Sequence, residues 1–248
     1  MFTLSDQPQS IFGIIANSLR LYKSVLIKIL PFSLIYVVTF TLPNFLLFHL
    51  ILVRKTDKFL DYFGIAVLCF FLSTWLVMVM YYRVYLVMIG SSEGYGLAIK
   101  TAFQKFVVCL ITHIIFFIIT LVGMMLFLIP GIFFAIYFGF YLLAIIIDQD
   151  DVVASFRRSA SLVRNHWWRT FVITLVPFLA IAIISKALEQ LIDVPLVFIS
   201  HVPTFEKIVH SHIIMGVIMA ILLPWFLTML LCQYHDLKLR HSDQVAIE

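Results

Sequence analysis

The sequence predicts an all-α, polytopic membrane protein: six transmembrane helices, amphipathic interfacial helices beside them, and a threefold helix-plus-hairpin repeat. Three observations lead there. Of 248 residues, 63% are hydrophobic and only 12% charged, which leaves too little polar surface to clothe a soluble domain of this length. Six apolar runs approach or exceed the roughly 17 residues that cross a bilayer as helix. The 17 Lys and Arg are distributed unevenly between the segments joining those runs. The whole chain, 1–248, reads as one integral membrane domain.

The first run, Ile29 to Val53, is preceded by a segment in which Ile11, Ile15, Leu19 and Tyr22 recur at helical spacing beside Arg20 and Lys23. That pattern predicts a surface helix leading into a span. No small-residue cleavage site closes a short apolar core here, so an uncleaved signal anchor is expected.

The second run, Tyr62 to Tyr82, ends beside Arg83, whose long stem can snorkel to lipid phosphate. Tyr95, Ile99, Ala102 and Phe106, with Lys100 and Lys105, repeat the surface-helix pattern before the third run, Phe106 to Ile129. That run holds His113, a polar group placed to bond a neighbouring helix or a ligand.

A tight turn is expected at Pro130-Gly131. The fourth run, Gly131 to Ile147, has only seventeen residues. Gly131, Ala135 and Gly139 recur every four residues along it and form a small-residue strip, with the third span as its natural partner and a second copy of the chain as the alternative. After Asp148-Gln149-Asp150-Asp151, an amphipathic segment places Val152, Val153, Phe156, Ala160, Val163 and Trp167 within an arc of about 100°. Arg157, Arg158, Ser161, Arg164 and Asn165 occupy the neighbouring arc, which predicts a helix lying in the membrane interface. The fifth and sixth runs are Trp167 to Ser185 and Ile213 to Cys232. Pro31, Pro43, Pro177 and Pro224 lie inside runs and predict kinks.

Charge orients the chain. With both termini cytoplasmic, twelve basic residues fall inside and five outside, and the four arginines from Arg157 to Arg169 stay inside only if the short fourth run crosses. The segment Tyr22 to Phe32 aligns without gaps on Trp168 to Phe178, each reading aromatic, base, hydroxyl, apolar run, Pro-Phe. A parallel repeat with units 1–90, 91–150 and 151–248 accounts for this. So does the general habit of aromatic and basic residues to anchor helices at an interface.

Chemistry is thinly represented. The thirteen Asp and Glu avoid the middle of every run, which lowers the expectation of proton or sodium coupling. Cys69, Cys109 and Cys232 sit inside runs without a CxxC pair and read as buried thiols. His210 and His212, with His201 in the same segment, cluster at i, i+2 without a confident third ligand, so no metal site is expected. No phosphate loop, HExxH or GxSxG is present. The expectation is therefore no enzyme, no catalytic residue, no cofactor and no nucleic-acid partner.

Pro130-Gly131-Ile132, Ala135-Ile136, Asp148, Ala154-Ser155, Arg157, Ser159 and Leu162 resemble, at gap-free spacing over about forty residues, the YciC-like family of bacterial inner-membrane proteins. That family is related in style to the membrane domain of some glycerophosphodiester phosphodiesterases. Where the family has a proline within the span, this chain has Leu142. The resemblance implies a multi-span protein of the bacterial inner membrane and transfers no functional residue.

Two functions follow as expectations. The first is a non-catalytic envelope protein acting through contacts with anionic membrane lipids, envelope partners or a second copy, with Arg83, Arg157, Arg158, Arg164 and Arg169 meeting headgroups. The second is a transporter or permease subunit for a lipid-like or apolar substrate. A lipid-sized cavity at mid-depth beside His113 favours transport, whereas a solid bundle favours the first.

Overall fold

The computed structural model describes residues 6–53, 59–199 and 204–245. In hydrocarbon a backbone must satisfy its own hydrogen bonds, so each apolar run is helical. The elements are α1 (Ile11–Val53), α2 (Phe59–Met88), α3 (Tyr95–Leu126), α4 (Leu128–Tyr137), α5 (Tyr141–Ile147), α6 (Val152–Val163), α7 (Trp167–Ile199) and α8 (Thr204–Val245). Six stretches are long and apolar enough to cross a bilayer, the fourth being α4 and α5 together. The chain is a multi-pass helical membrane protein, with no strand among the described residues. Large apolar side chains such as Val107, Phe117, Ile118, Phe178 and Ile183 face outward, as a lipid solvent permits.

Helix α8 packs along α1 and α7 and also touches α2 and α6, while α2 lies between α1 and α3. The core gathers toward the end of the bundle where the described chain starts and finishes. There Leu21, Val25 and Ile29 of α1 pack with Met78, Val79 and Val84 of α2, Phe140 and Leu143 of α5, and Leu227, Leu231 and Tyr234 of α8. We call this the basic end.

The α1–α8 contact is held by polar groups as well as by packing. Helix α8 runs through Pro224, which has no N–H to offer the carbonyl four residues earlier. That carbonyl, on Ala220, instead accepts from Ser33 Oγ at 2.6 Å. Nearer the basic end, Trp225 Nε1 donates to Ser18 Oγ at 3.2 Å.

Several sequence expectations are corrected. The segments around 11–22 and 95–106 are not separate surface helices but the first turns of α1 and α3. They bury Ile14, Leu21, Ala98 and Ala102 against protein, whereas of the predicted apolar faces only Ala102 is buried, Ile11, Ile15 and Phe106 are half-buried, and Leu19 and Ile99 are exposed. The turn before the fourth span is not at Pro130-Gly131 but at the extended residue Phe127, which closes α3 and precedes α4. Pro130 falls in the first turn of α4, where its missing N–H costs nothing. The fourth span itself is broken at 138–140.

The small-residue strip is shorter than expected. A Cβ at Gly131 would come within 2.8 Å of the Met124 backbone, and one at Gly123 within 3.0 Å of Gly131 Cα, so α3 and α4 meet through these two glycines. Ala135 is half-buried, and Gly139 lies exposed in the break, not on a helix.

Helix α6 is a separate helix, begun by Asp151, whose carboxylate accepts from the Ala154 amide at 2.8 Å. Its fully buried residues are Ser155, Ser159, Leu162 and Val163, of which only Val163 lies on the predicted apolar arc; Val152, Phe156 and Ala160 are half-buried and Val153 is 65% exposed. The Ser159 hydroxyl draws this face inward, because it has backbone partners at the broken span, while Ser155 donates to the Val152 carbonyl of its own helix.

Candidate functional site

A cavity of about 300 Å³ lies in the bundle, lined by Tyr36 and Phe40 of α1, Ser73, Thr74 and Val77 of α2, and His113 of α3, with Leu142 of α5 also in its wall. Helical rise sets its depth. His113 is eight residues past Lys105, about 12 Å, and Tyr36 is eight past Lys28, again about 12 Å. Both estimates place the cavity near the middle of a hydrocarbon layer of about 30 Å.

The cavity exists because α1 and α3 both pack on α2 and leave a groove between them. Its rim residues Phe40 and Phe70 are 54% and 40% exposed at membrane depth, so the groove opens sideways toward lipid. Toward the basic end it is roofed. The Tyr95 hydroxyl donates to the Lys28 carbonyl, and the Tyr95 ring stacks on Phe32 with centroids 5.4 Å apart. Arg83 holds this roof from the other side, its guanidinium 4.8 Å from the Tyr95 centroid and bonded to the Glu93 carbonyl.

Within the groove His113 Nδ1 is 2.6 Å from the Tyr141 hydroxyl, joining α3 to α5. The Phe70 ring meets the imidazole edge-on at 5.6 Å. Ser73 and Thr74 both donate to the Phe70 carbonyl, at 3.0 and 2.9 Å.

Beneath the groove the break in the fourth span is tied by α6. Ser159 Oγ accepts from the Phe140 amide at 3.1 Å and donates to the Tyr137 carbonyl at 3.0 Å, so the two backbone groups freed by the break are paired. Trp167 Nε1 donates to the Phe133 carbonyl at 3.3 Å.

The basic end is cross-linked by two carboxylate clusters. In the first, Asp150 takes a bidentate pair from Arg158 at 2.5 and 3.0 Å, while Asp148 accepts from Lys238 at 2.6 Å and from the Tyr234 hydroxyl. The hydrogen bond to Asp150 raises the Arg158 pKa further and keeps the guanidinium charged. In the second, Asp236 is 3% exposed and receives Arg169 at 3.1 Å and Arg240 at 2.8 Å. The Gln9 amide donates to the same carboxylate at 2.6 Å, and the Gln9 carbonyl accepts from both arginines. The segment before α1 is thereby stapled to α7 and α8.

The five arginines therefore divide. Arg158 and Arg169 spend their charge on carboxylates and Arg83 on the Tyr95 roof, whereas Arg157 and Arg164 are exposed on α6 and just after it. His166, in the turn beyond, has its pKa lowered by burial and then by Arg240 and Arg169, against a smaller opposing effect of Asp236. Its Nε2 is buried without a partner among the described residues.

Sequence reasoning missed Asp236, Gly123, Tyr36 and the two serines of α6. Asp236 stands four residues before Arg240, a spacing that signals an ion pair, but burial could not be read from it. Ser155 and Ser159 repeat at i, i+4, the spacing of one helix face. The three cysteines are buried and free. His201 lies outside the described residues, as do the side chains of His210 and His212.

Residues 51–237 match the family described as "Domain of unknown function (DUF7847)", and the chain belongs to that family. The match runs from the end of α1 into α8 and so includes α2 through α7. No curated protein and no solved structure matches the chain.

Proposed function

We propose that this family member is a non-enzymatic protein of the bacterial inner membrane that takes a lipid-like or apolar molecule from the bilayer into the groove beside His113. The reading rests on one observation: a cavity of about 300 Å³ at mid-depth, with polar groups on its walls and its rim facing lipid. That volume lies at the small end of ligand pockets, which run from about 300 to 1,000 Å³. The roof of Tyr95 and Arg83 makes lateral entry the open route and closes the direct one. The excess of basic residues around the roofed end supports cytoplasmic termini. Kinship with the YciC-like family is part of the same proposal.

A second role accompanies the first. Arg157 and Arg164 are exposed beside Trp168, itself 73% exposed, and this combination of base and indole suits anionic headgroups at an interface. Binding there anchors α6, the helix that ties the broken span.

The test is mass spectrometry of the lipids retained when the protein is purified into nanodiscs. One apolar species enriched over bulk membrane, and lost in His113→Phe, is the expected result. A retained-lipid profile matching bulk membrane in both proteins overturns the reading.

A further inference from the structure

The hydrogen-bonding groups of the groove define what it can hold. The Tyr141 hydroxyl has one partner, His113 Nδ1, and Tyr141 is buried. A buried phenol left without an acceptor is costly, so the phenol donates and Nδ1 accepts. In a neutral imidazole the proton then resides on Nε2, which becomes an N–H donor with no protein partner among the described residues. On α1, the Tyr36 hydroxyl is also without a hydrogen-bond partner among the described residues. Ser73 and Thr74 have committed their hydroxyl protons to the Phe70 carbonyl. The groove thus offers a donor from α3 and one from α1, with the rings of Phe40 and Phe70 also in its lining and no charged side chain there among the described residues.

Two donors carried by different helices, with aromatic rings beside them, suit a flat ring bearing carbonyl oxygens at both ends. About 300 Å³ corresponds to some ten water volumes, enough for a substituted six-membered ring and too little for a two-chain phospholipid with its headgroup. Depth argues in the same direction. Acyl ester carbonyls of bilayer lipids sit at the interface, whereas the groove lies about 12 Å deeper. We propose that the groove binds the uncharged carbonyl ring of a quinone-type isoprenoid lipid, His113 Nε2–H meeting one carbonyl and the Tyr36 hydroxyl the other. This rests on the reading of the groove as a lipid site and names its ligand class. Tyr141 is a positioning residue, since it acts by setting the His113 tautomer.

The experiment uses the full chain in nanodiscs with three photoreactive probes: an isoprenoid benzoquinone, its analogue with a carbonyl-free ring and the same tail, and a diacyl phospholipid. Labelled peptides are mapped by mass spectrometry. The quinone probe is expected to label peptides containing Tyr36, Phe70 and His113 about tenfold more than the carbonyl-free analogue, the discrimination one good hydrogen bond supplies. His113→Phe should reduce it to the analogue's level. His113→Gln, which keeps a side-chain donor, should retain part of the preference. Tyr141→Phe should weaken it while leaving the analogue's labelling unchanged. Helical circular dichroism and thermal midpoint identify any variant that fails to fold, and His113→Gln then carries the comparison.

Equal groove labelling by quinone and analogue overturns carbonyl recognition and leaves a lipid site standing. Preferential labelling by the phospholipid probe overturns the choice of ligand. Groove labelling by none of the three overturns the lipid site and the quinone proposal together.

Discussion

Ser33 Oγ lies 2.6 Å from the carbonyl oxygen of Ala220, the acceptor that Pro224 leaves without a helical donor. A proline that would expose a bare carbonyl in hydrocarbon is thereby made compatible with a span, and α1 is fastened to α8 at that point. Ser33→Ala should destabilise the protein by about 1–3 kcal/mol, since the carbonyl remains buried and unpaired. Pro224→Ala restores an N–H, so in that background the serine substitution should cost clearly less. Thermal unfolding of the four proteins in one detergent measures the coupling, and strictly additive effects would contradict the account.

Gly131 and Gly123 let the α3 and α4 backbones touch. Gly131→Ala introduces a methyl within 2.8 to 2.9 Å of Met124 backbone atoms, which only separation of the helices can relieve. A loss of about 1–3 kcal/mol is expected from overpacking of this kind. Gly96→Ala is the control, because a Cβ there meets nothing within 4 Å. Comparable unfolding midpoints for the two variants would show that the close contact is unimportant.

The arginines of the α6 region should separate by function. Arg157→Glu with Arg164→Glu is expected to reduce binding to anionic liposomes with little change in thermal midpoint. Arg158→Glu should instead lower the midpoint, because it sets a third carboxylate against Asp148 and Asp150. Its charge is already neutralised in the wild type, so its direct part in liposome binding should be small. Sedimentation with vesicles of graded anionic content, alongside unfolding, tests both halves.

Acid should loosen the basic end. Burial and the cations of Arg240 and Arg169 lower the His166 pKa below its ordinary 6.5, so the folded protein binds fewer protons than the unfolded chain as that range is crossed. Stability then rises with pH: the contribution is complete above the unfolded value and lost as pH falls through the folded one. The thermal midpoint is expected to drop between about pH 7 and 5. His166→Asn should flatten that dependence, and an identical slope in the variant would assign the effect to another group.

The class of the protein was legible because lipid leaves little choice. An apolar run such as Phe106 to Ile129 must pair its own backbone groups and is therefore a helix, whichever neighbours it finds. Turn positions were less legible. Pro130-Gly131 has the composition of a turn, yet proline also suits a first helical turn and glycine a close helix contact, and those uses prevailed. Local pattern offers no means of choosing between them.

The candidate site was legible in one residue. His113 stood out because a polar side chain at depth is unusual, but its groove depends on α1 and α3 packing on α2 without filling the space between. Tyr36 and Ser73 are ordinary in sequence. They become informative only when three helices bring them around one void.

Composition and hydropathy by themselves determined that the chain spans a membrane six times and that its two described ends share one side, since each follows from the count and length of apolar runs. Tertiary structure alone decided which polar groups are spent and which are free. Arg157 and Arg158 are adjacent and chemically identical, yet one points outward and the other grips Asp150. The reason is geometric: adjacent helical residues point about 100° apart, and only the packing of α6 against the broken fourth span decides which direction meets a carboxylate.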